Sequence, residues 1–135
     1  MPRTRIALAN ANRGLLDMLV ERLDRDFDVV AAVGNGDDLL DAVAALMPAV
    51  VVLDVSMPGI SGLEAAGRLQ RGGCSARVVF FTSCRSTECV RAAFGAGASG
   101  YVLVQDMETD LRQAIKNALA GDAFVSASLP PRDIV

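Results

Sequence analysis

The chain has 135 residues, with 13 basic and 16 acidic side chains, no histidine and a formal net charge of −3. That length makes one domain able to bury roughly two thirds of its surface without staples, and the acidic balance leaves no Lys/Arg cluster that could follow a nucleic-acid backbone. Cys74, Cys84 and Cys89 are odd in number and lack CxxC spacing or a histidine, which supports neither a disulfide framework nor a zinc site and predicts reduced thiols in a cytoplasmic protein.

In chain order, the first apolar run, Ile6–Ala9, breaks at Asn10, and Asp17 soon follows. The run is too short for a signal peptide or a membrane span and fits a strand. The loop after it, Asn10-Ala11-Asn12-Arg13-Gly14, lacks the Ser/Thr/Gly richness that a nucleotide-binding loop of a doubly wound fold requires. Leu15, Leu16, Leu19, Val20 and Leu23 then share one helical face. Phe27–Val33 reads as a second strand and Gly34-Asn35-Gly36 as a turn, with Leu39, Leu40, Val43 and Met47 on the next helical face.

Val50–Leu53 is wholly apolar, as a central parallel strand buried on both faces must be. It ends in Asp54 and then a Pro58-Gly59 turn. A carboxylate at that rim is costly to bury unless something uses it; the alternative is an ordinary strand-end Asp that caps its turn. Val78–Phe81 and Tyr101–Val104 complete five strand runs. Gly95-Ala96-Gly97-Ala98-Ser99-Gly100 between them ends a helix rather than cradling a phosphate. Leu111, Ile115, Ala118 and Leu119 form the last helical face, and beyond Ala123 the pattern stops. Strands alternating with crossover helices are parallel and right-handedly connected. The expectation is an α/β, doubly wound, three-layer domain over residues 1–126, with Leu129-Pro130-Pro131-Arg132 inside a linker or tail at 127–135.

The segment from Val51 to Ala65, VVLDVSMPGISGLEA, resembles the phosphoacceptor segment of bacterial response-regulator receiver domains of the NarL/FixJ (LuxR) type. Arg77–Ser83 (RVVFFTS), Gly95–Tyr101 (GAGASGY) and Ala114–Gly121 resemble the same family, and the likeness runs from residue 5 to about 126. The resemblance implies a CheY-like, flavodoxin-like sandwich with strand order 2-1-3-4-5. It makes Asp54 the phosphoacceptor, Thr82 the switch hydroxyl and Tyr101 the switch aromatic, with Ser56 and Cys84 at modulating positions. It also implies regulation rather than catalysis: a histidine kinase as a possible donor, dimerisation through protein–protein contacts, and DNA reached only through an output domain.

Three of the positions that the family uses are changed here. Where the family carries two acids after the first strand, this chain has Asn10 and Ala11, and where it carries a lysine after the fifth, this chain has Val104. The only lysine is Lys116, in the last helix. Phosphoryl transfer to a carboxylate depends on positioning and on charge neutralisation by Mg²⁺ and lysine. Weak or absent Mg²⁺ binding and no metal site are therefore expected, with loss of two acids relieving like-charge crowding at Asp54. Arg13 and Arg85 are candidate partners for Asp54, weighed against solvated loop arginines. Gly95, Ala96 and Ala98 leave room beside the fifth strand, and Ala114, Ile115 and Ala118 offer apolar surface for association, or core. The expectation is a degenerate receiver acting as an interaction module, with two alternatives: a conventional receiver phosphorylated at Asp54, or a pseudo-receiver whose vacated pocket senses a small molecule.

Overall fold

Each apolar run becomes a parallel strand because helices on both sides remove it from water. The structure, a computed structural model, describes residues 3–126, 128 and 129. In order the elements are β1 (Arg5–Ala9), α1 (Arg13–Leu23), β2 (Asp28–Val33), α2 (Gly36–Leu46), β3 (Val50–Leu53) and α3 (Gly62–Arg71). There follow β4 (Arg77–Thr82), α4 (Thr87–Gly95), β5 (Gly100–Leu103), a 3-10 turn (Val104–Asp106), α5 (Met107–Ala120) and β6 (Phe124–Val125). The sheet order is β2-β1-β3-β4-β5-β6, all pairs parallel. The fold is thus the expected α/β CheY-like sandwich in order 2-1-3-4-5, extended by a short sixth strand.

β3 shows how the layers arise. Val51 and Leu53 point into a core shared with Leu39, Val43, Ala65, Leu69, Val90 and Ala93 of α2, α3 and α4. Val50 and Val52 point the other way, toward Leu16, Leu19 and Leu23 of α1 and Leu111 and Ile115 of α5. Strand alternation thus feeds two cores, and all four residues are at most 1% exposed. Four helices begin with a side-chain cap: Asn12 accepts from Leu15 N–H (3.0 Å), Asn35 from Asp38 (2.8 Å), Ser61 from Glu64 (3.1 Å) and Ser86 from Cys89 (3.1 Å). Because every crossover helix starts beyond a strand's carboxyl end, these positively polarised helix starts gather around the rim that holds Asp54.

Several expectations are corrected. Met47 does not lie on a buried face: it caps α2 in the left-handed conformation (φ 49°) and is 76% exposed. Leu119 is likewise exposed, because α5 ends one residue later and its face there has run past the sheet. Ala114, Ile115 and Ala118 are fully buried core rather than association surface. Val104 leaves β5 to open the 3-10 turn. The pattern does not stop at Ala123: Phe124 and Val125 pair with Gly100 and Tyr101, a strand of two residues being too short to show a period. Leu129, assigned to a tail, is buried in the α2–α3–α4 core. Pro130–Val135, the rest of that tail, and Ala127 lie outside the described residues.

Gly62 fixes the segment that follows β3. Its N–H donates to the Val55 carbonyl at 2.8 Å, and a Cβ there would overlap the Asp54 carbonyl oxygen. Helix propensity alone favours Gly62→Ala by up to about 1 kcal/mol, but overpacking against backbone reverses the sign. Urea unfolding should show Gly62→Ala destabilised by at least about 2 kcal/mol. Gly95→Ala, with open space around the new Cβ, should gain about 0.5 kcal/mol. Equal midpoints for the two variants would contradict this packing.

Candidate functional site

The strand registers bring the candidate residues to one rim. Ala9 pairs with Leu53, Leu53 with Phe80, and Thr82 with Leu103. Continuing these ladders sets Asn10 beside Asp54 and Val104 just beyond the partner of Thr82, on strands about 4.8 Å apart. Asn10, Asp54, Thr82 and Val104 all stand at the carboxyl ends of their strands, as expected, while Ala11 is exposed in the loop to α1.

Asn10 is 2% exposed, and its orientation follows from its neighbours. The Asn12 backbone N–H donates to Asn10 Oδ1 at 2.8 Å. A donor facing the amide requires the oxygen on that side, so the NH₂ group is the free end. Asn10 Nδ2 is buried without a hydrogen-bond partner among the described residues. An unmatched buried donor costs about 1–3 kcal/mol. At the position beside Asp54, this chain thus has a neutral amide whose oxygen already accepts one hydrogen bond and whose NH₂ is buried and unpartnered among the described residues.

Asp54 is half-buried, and its Oδ1 accepts a long hydrogen bond from Ser56 N–H at 3.4 Å. Ser56 is therefore in contact with the carboxylate through its backbone, its side chain exposed. Neither candidate arginine is held at Asp54. Arg13 pairs with Asp17 at 3.4 Å, four residues along an exposed helix face, and Arg85 donates to the Ser128 carbonyl at 3.3 Å. The solvated-arginine reading holds for Arg13, while Arg85 ties the loop after β4 to the chain after β6.

Thr82 is buried, and its Oγ1 accepts from Cys84 N–H at 3.3 Å. Tyr101 is completely buried, and its hydroxyl donates to the Cys84 carbonyl at 2.6 Å. Cys84 thus joins the hydroxyl and the aromatic ring through its own backbone. The cysteines are not all reduced thiols: Cys84 and Cys89 form a disulfide, and Cys74 alone is free. The first turn of α4 carries Cys89 back over the loop, to a Cα–Cα distance of 6.5 Å, within bonding range. That approach is tertiary and leaves no mark in the spacing.

Residues that the sequence reading missed close the β5 side. Ser126 Oγ, 1% exposed, accepts from Leu103 N–H at 2.9 Å, and Ser128 donates to Asp106 at 3.1 Å. The clearest readable capping signal was at Ser61, in a Ser-x-x-Glu helix start. A cavity of about 330 Å³ lies elsewhere, between α3 and the amino end of β4, lined by Leu69, Cys74, Arg77, Ala96 and Ser99.

A family model described as the response regulator receiver domain matches residues 7–125. The nitrate/nitrite response regulator protein NarL of Escherichia coli (strain K12) is 37% identical over 107 residues, 78% of this chain and 49% of NarL. The transcriptional regulatory protein YvfU of Bacillus subtilis (strain 168) is 34% identical over 127 residues, 93% of this chain and 64% of YvfU. The chain therefore spans about half to two thirds of these curated relatives. A crystal structure of a LuxR-family two-component response regulator from Aurantimonas sp. SI85-9A1 superposes with TM-score 0.91 at 28% identity, covering 98% of this chain and 95% of that one.

Tyr101 is the only tyrosine and there is no tryptophan, so its absorbance titrates alone. Burial first, and the Asp54 charge second, push its phenol up to about 12, against about 10 in an unfolded chain. The folded state holds the proton longer. Its contribution to stability is therefore complete below pH about 10 and is lost as the pH rises toward 12. Spectrophotometric titration should place the native midpoint near 12, and Asp54→Asn should lower it by removing the like charge. A native midpoint at the unfolded value would put the phenol in water.

Proposed function

The chain belongs to the response-regulator receiver family and is related to NarL/LuxR-type regulators; we propose that it acts as a signalling interaction module whose output face is set without Mg²⁺-dependent phosphorylation of Asp54. The orientation of the Asn10 amide carries this reading. Mg²⁺ takes oxygen ligands and gives up its waters reluctantly. Here Asn10 brings one neutral oxygen that already accepts from Asn12 N–H, its other end is a donor, and Ala11 has no side-chain ligand atom. Among the described residues no group of three or more acids, cysteines or histidines gathers that could hold a metal ion, and Asp54 with a neutral Asn10 is a poor fit for the metal that the family uses. Val104 removes the second positive charge that would neutralise an incoming phosphoryl group.

The state of Tyr101 supports the same reading. In the family, phosphate draws the Thr hydroxyl inward and the aromatic follows; such a switch is a two-state equilibrium that any differential binder can bias. Here the ring is already buried and its hydroxyl bound to Cys84, with Thr82 holding the same residue. Signalling would pass by constitutive association, with dimerisation the first form to consider, or through a partner protein. A DNA-binding output segment belongs to this proposal as the output of the wider system, whereas a histidine kinase donor belongs to the conventional alternative. The orphaned Asn10 Nδ2 favours a second reading: a small molecule with a hydrogen-bond acceptor, seated beside Asp54, senses in place of phosphate.

Mass spectrometry after incubation with acetyl phosphate and Mg²⁺ tests the proposal. Asp54 should label at least about 100-fold more slowly than an ordinary receiver. Asn10→Asp, Ala11→Asp and Val104→Lys together should restore labelling. The natural protein and Asp54→Asn should sediment alike, with or without the phosphodonor. Ordinary labelling of the natural chain, or a dimer that forms only after labelling, would establish the conventional receiver instead.

A further inference from the structure

We propose that Cys84 and Cys89 form a dithiol–disulfide exchange site, taking low-molecular-weight disulfides as its oxidant, and that its state sets the tether of Tyr101. The bond joins the loop after β4 to the third residue of α4 across five positions of sequence. Both residues are half-buried, so a small thiol or disulfide reaches them from solvent. Cys84 is at once redox partner and structural joint: its N–H donates to Thr82 Oγ1 and its carbonyl accepts from the Tyr101 hydroxyl. So short a ring constrains the unfolded chain little and fixes chiefly this loop. The bond's effect is therefore local, at the point where the ring and the hydroxyl meet.

The local chemistry favours exchange. Cys89 lies in the first turn of α4, at the positive end of the helix dipole, which favours a thiolate. In the reduced chain this thiolate attacks one sulfur of a small disulfide RSSR, forming a mixed disulfide and releasing RS⁻, which takes up the proton that Cys89 lost. The Cys84 thiolate then attacks the Cys89 sulfur and expels the second RS⁻, which is protonated in turn. The protein loses two electrons and two protons, and RSSR becomes two RSH. In the reverse direction the loop regains its freedom. The Ser86 cap on Cys89 N–H remains, but Cys84 is no longer bound to the helix, and the acceptor for Tyr101 becomes mobile. The proposal does not depend on whether Asp54 accepts phosphate, since no step passes through that carboxylate.

The single tyrosine provides the readout. The full chain is equilibrated in glutathione buffers from fully oxidised to fully reduced, alkylated with iodoacetamide and weighed, and acrylamide quenching of tyrosine fluorescence is measured on parallel samples. One alkylated cysteine, Cys74, is expected in the oxidised buffers and three in the reduced. Quenching should rise about twofold in step with the loss of the bond, as a buried ring gains access to water. Cys74→Ser should keep the whole response, and Cys89→Ser should show reduced-state quenching in every buffer. The titration of the natural chain decides the matter if that variant fails to fold. Three alkylated cysteines in fully oxidised glutathione, or quenching unchanged when the bond is reduced, overturns the proposal.

Discussion

Burial of β3 on both faces is the constraint from which the rest follows. Four residues with almost no exposure need helices on either side, and their burial contributes about 1.5–3 kcal/mol per Val or Leu side chain. Once the strand is central, its first polar residue emerges at the carboxyl rim. Asp54 is placed there by the core, and Gly62 holds the backbone behind it by close approach. The same parallel ladders carry Asn10, Thr82 and Val104 to that rim. Thus the two cores alone gather these four residues at one rim, whatever chemistry they perform there.

The rim of this chain has the family's shape and carries Asn10, Ala11 and Val104 at the positions where the resemblance implies two acids and a lysine. An acid-rich pocket uses a cation to hold its carboxylates together. On the proposed reading, Asn10 and Ala11 at those positions relieve that crowding, so the fold would need no ion. The hydrogen bonds that remain run from Asn12 to Asn10, from Ser56 to Asp54, and from Cys84 to Thr82. None requires a phosphoryl group. The inward Tyr101, bound at the Cys84 carbonyl, completes a set of contacts that the protein makes by itself. A conformational equilibrium biased by such internal contacts can be shifted by any group that interacts better with one of its states.

Most of this architecture was legible because periodicity reports burial. The run Val50–Leu53 announced a two-sided strand, and the helical faces of α1 and α5 named their core residues at Leu16, Leu19, Leu111 and Ile115. Misreadings fall where local geometry ends a period. Met47 fits the apolar face of α2 on paper but sits at its left-handed cap, and Leu119 comes after the sheet has been covered. The two residues of β6 are paired by backbone hydrogen bonds that no side-chain pattern reports. At the rim, the changed residue types were readable, but the direction of the Asn10 amide depended on Asn12, and the Cys84–Cys89 bond on the turn of α4. Both are facts of three-dimensional approach.

The central claim is that the arrangement of Thr82 and Tyr101 does not depend on anionic chemistry at Asp54. Solution NMR of the natural chain, with and without beryllofluoride and Mg²⁺, tests it most directly, with Asp54→Asn as the reference. The account predicts that the Thr82 amide and the Tyr101 ring signals stay where they are on adding the phosphoryl mimic. A saturable shift of both signals in the natural chain, absent from Asp54→Asn, would contradict it.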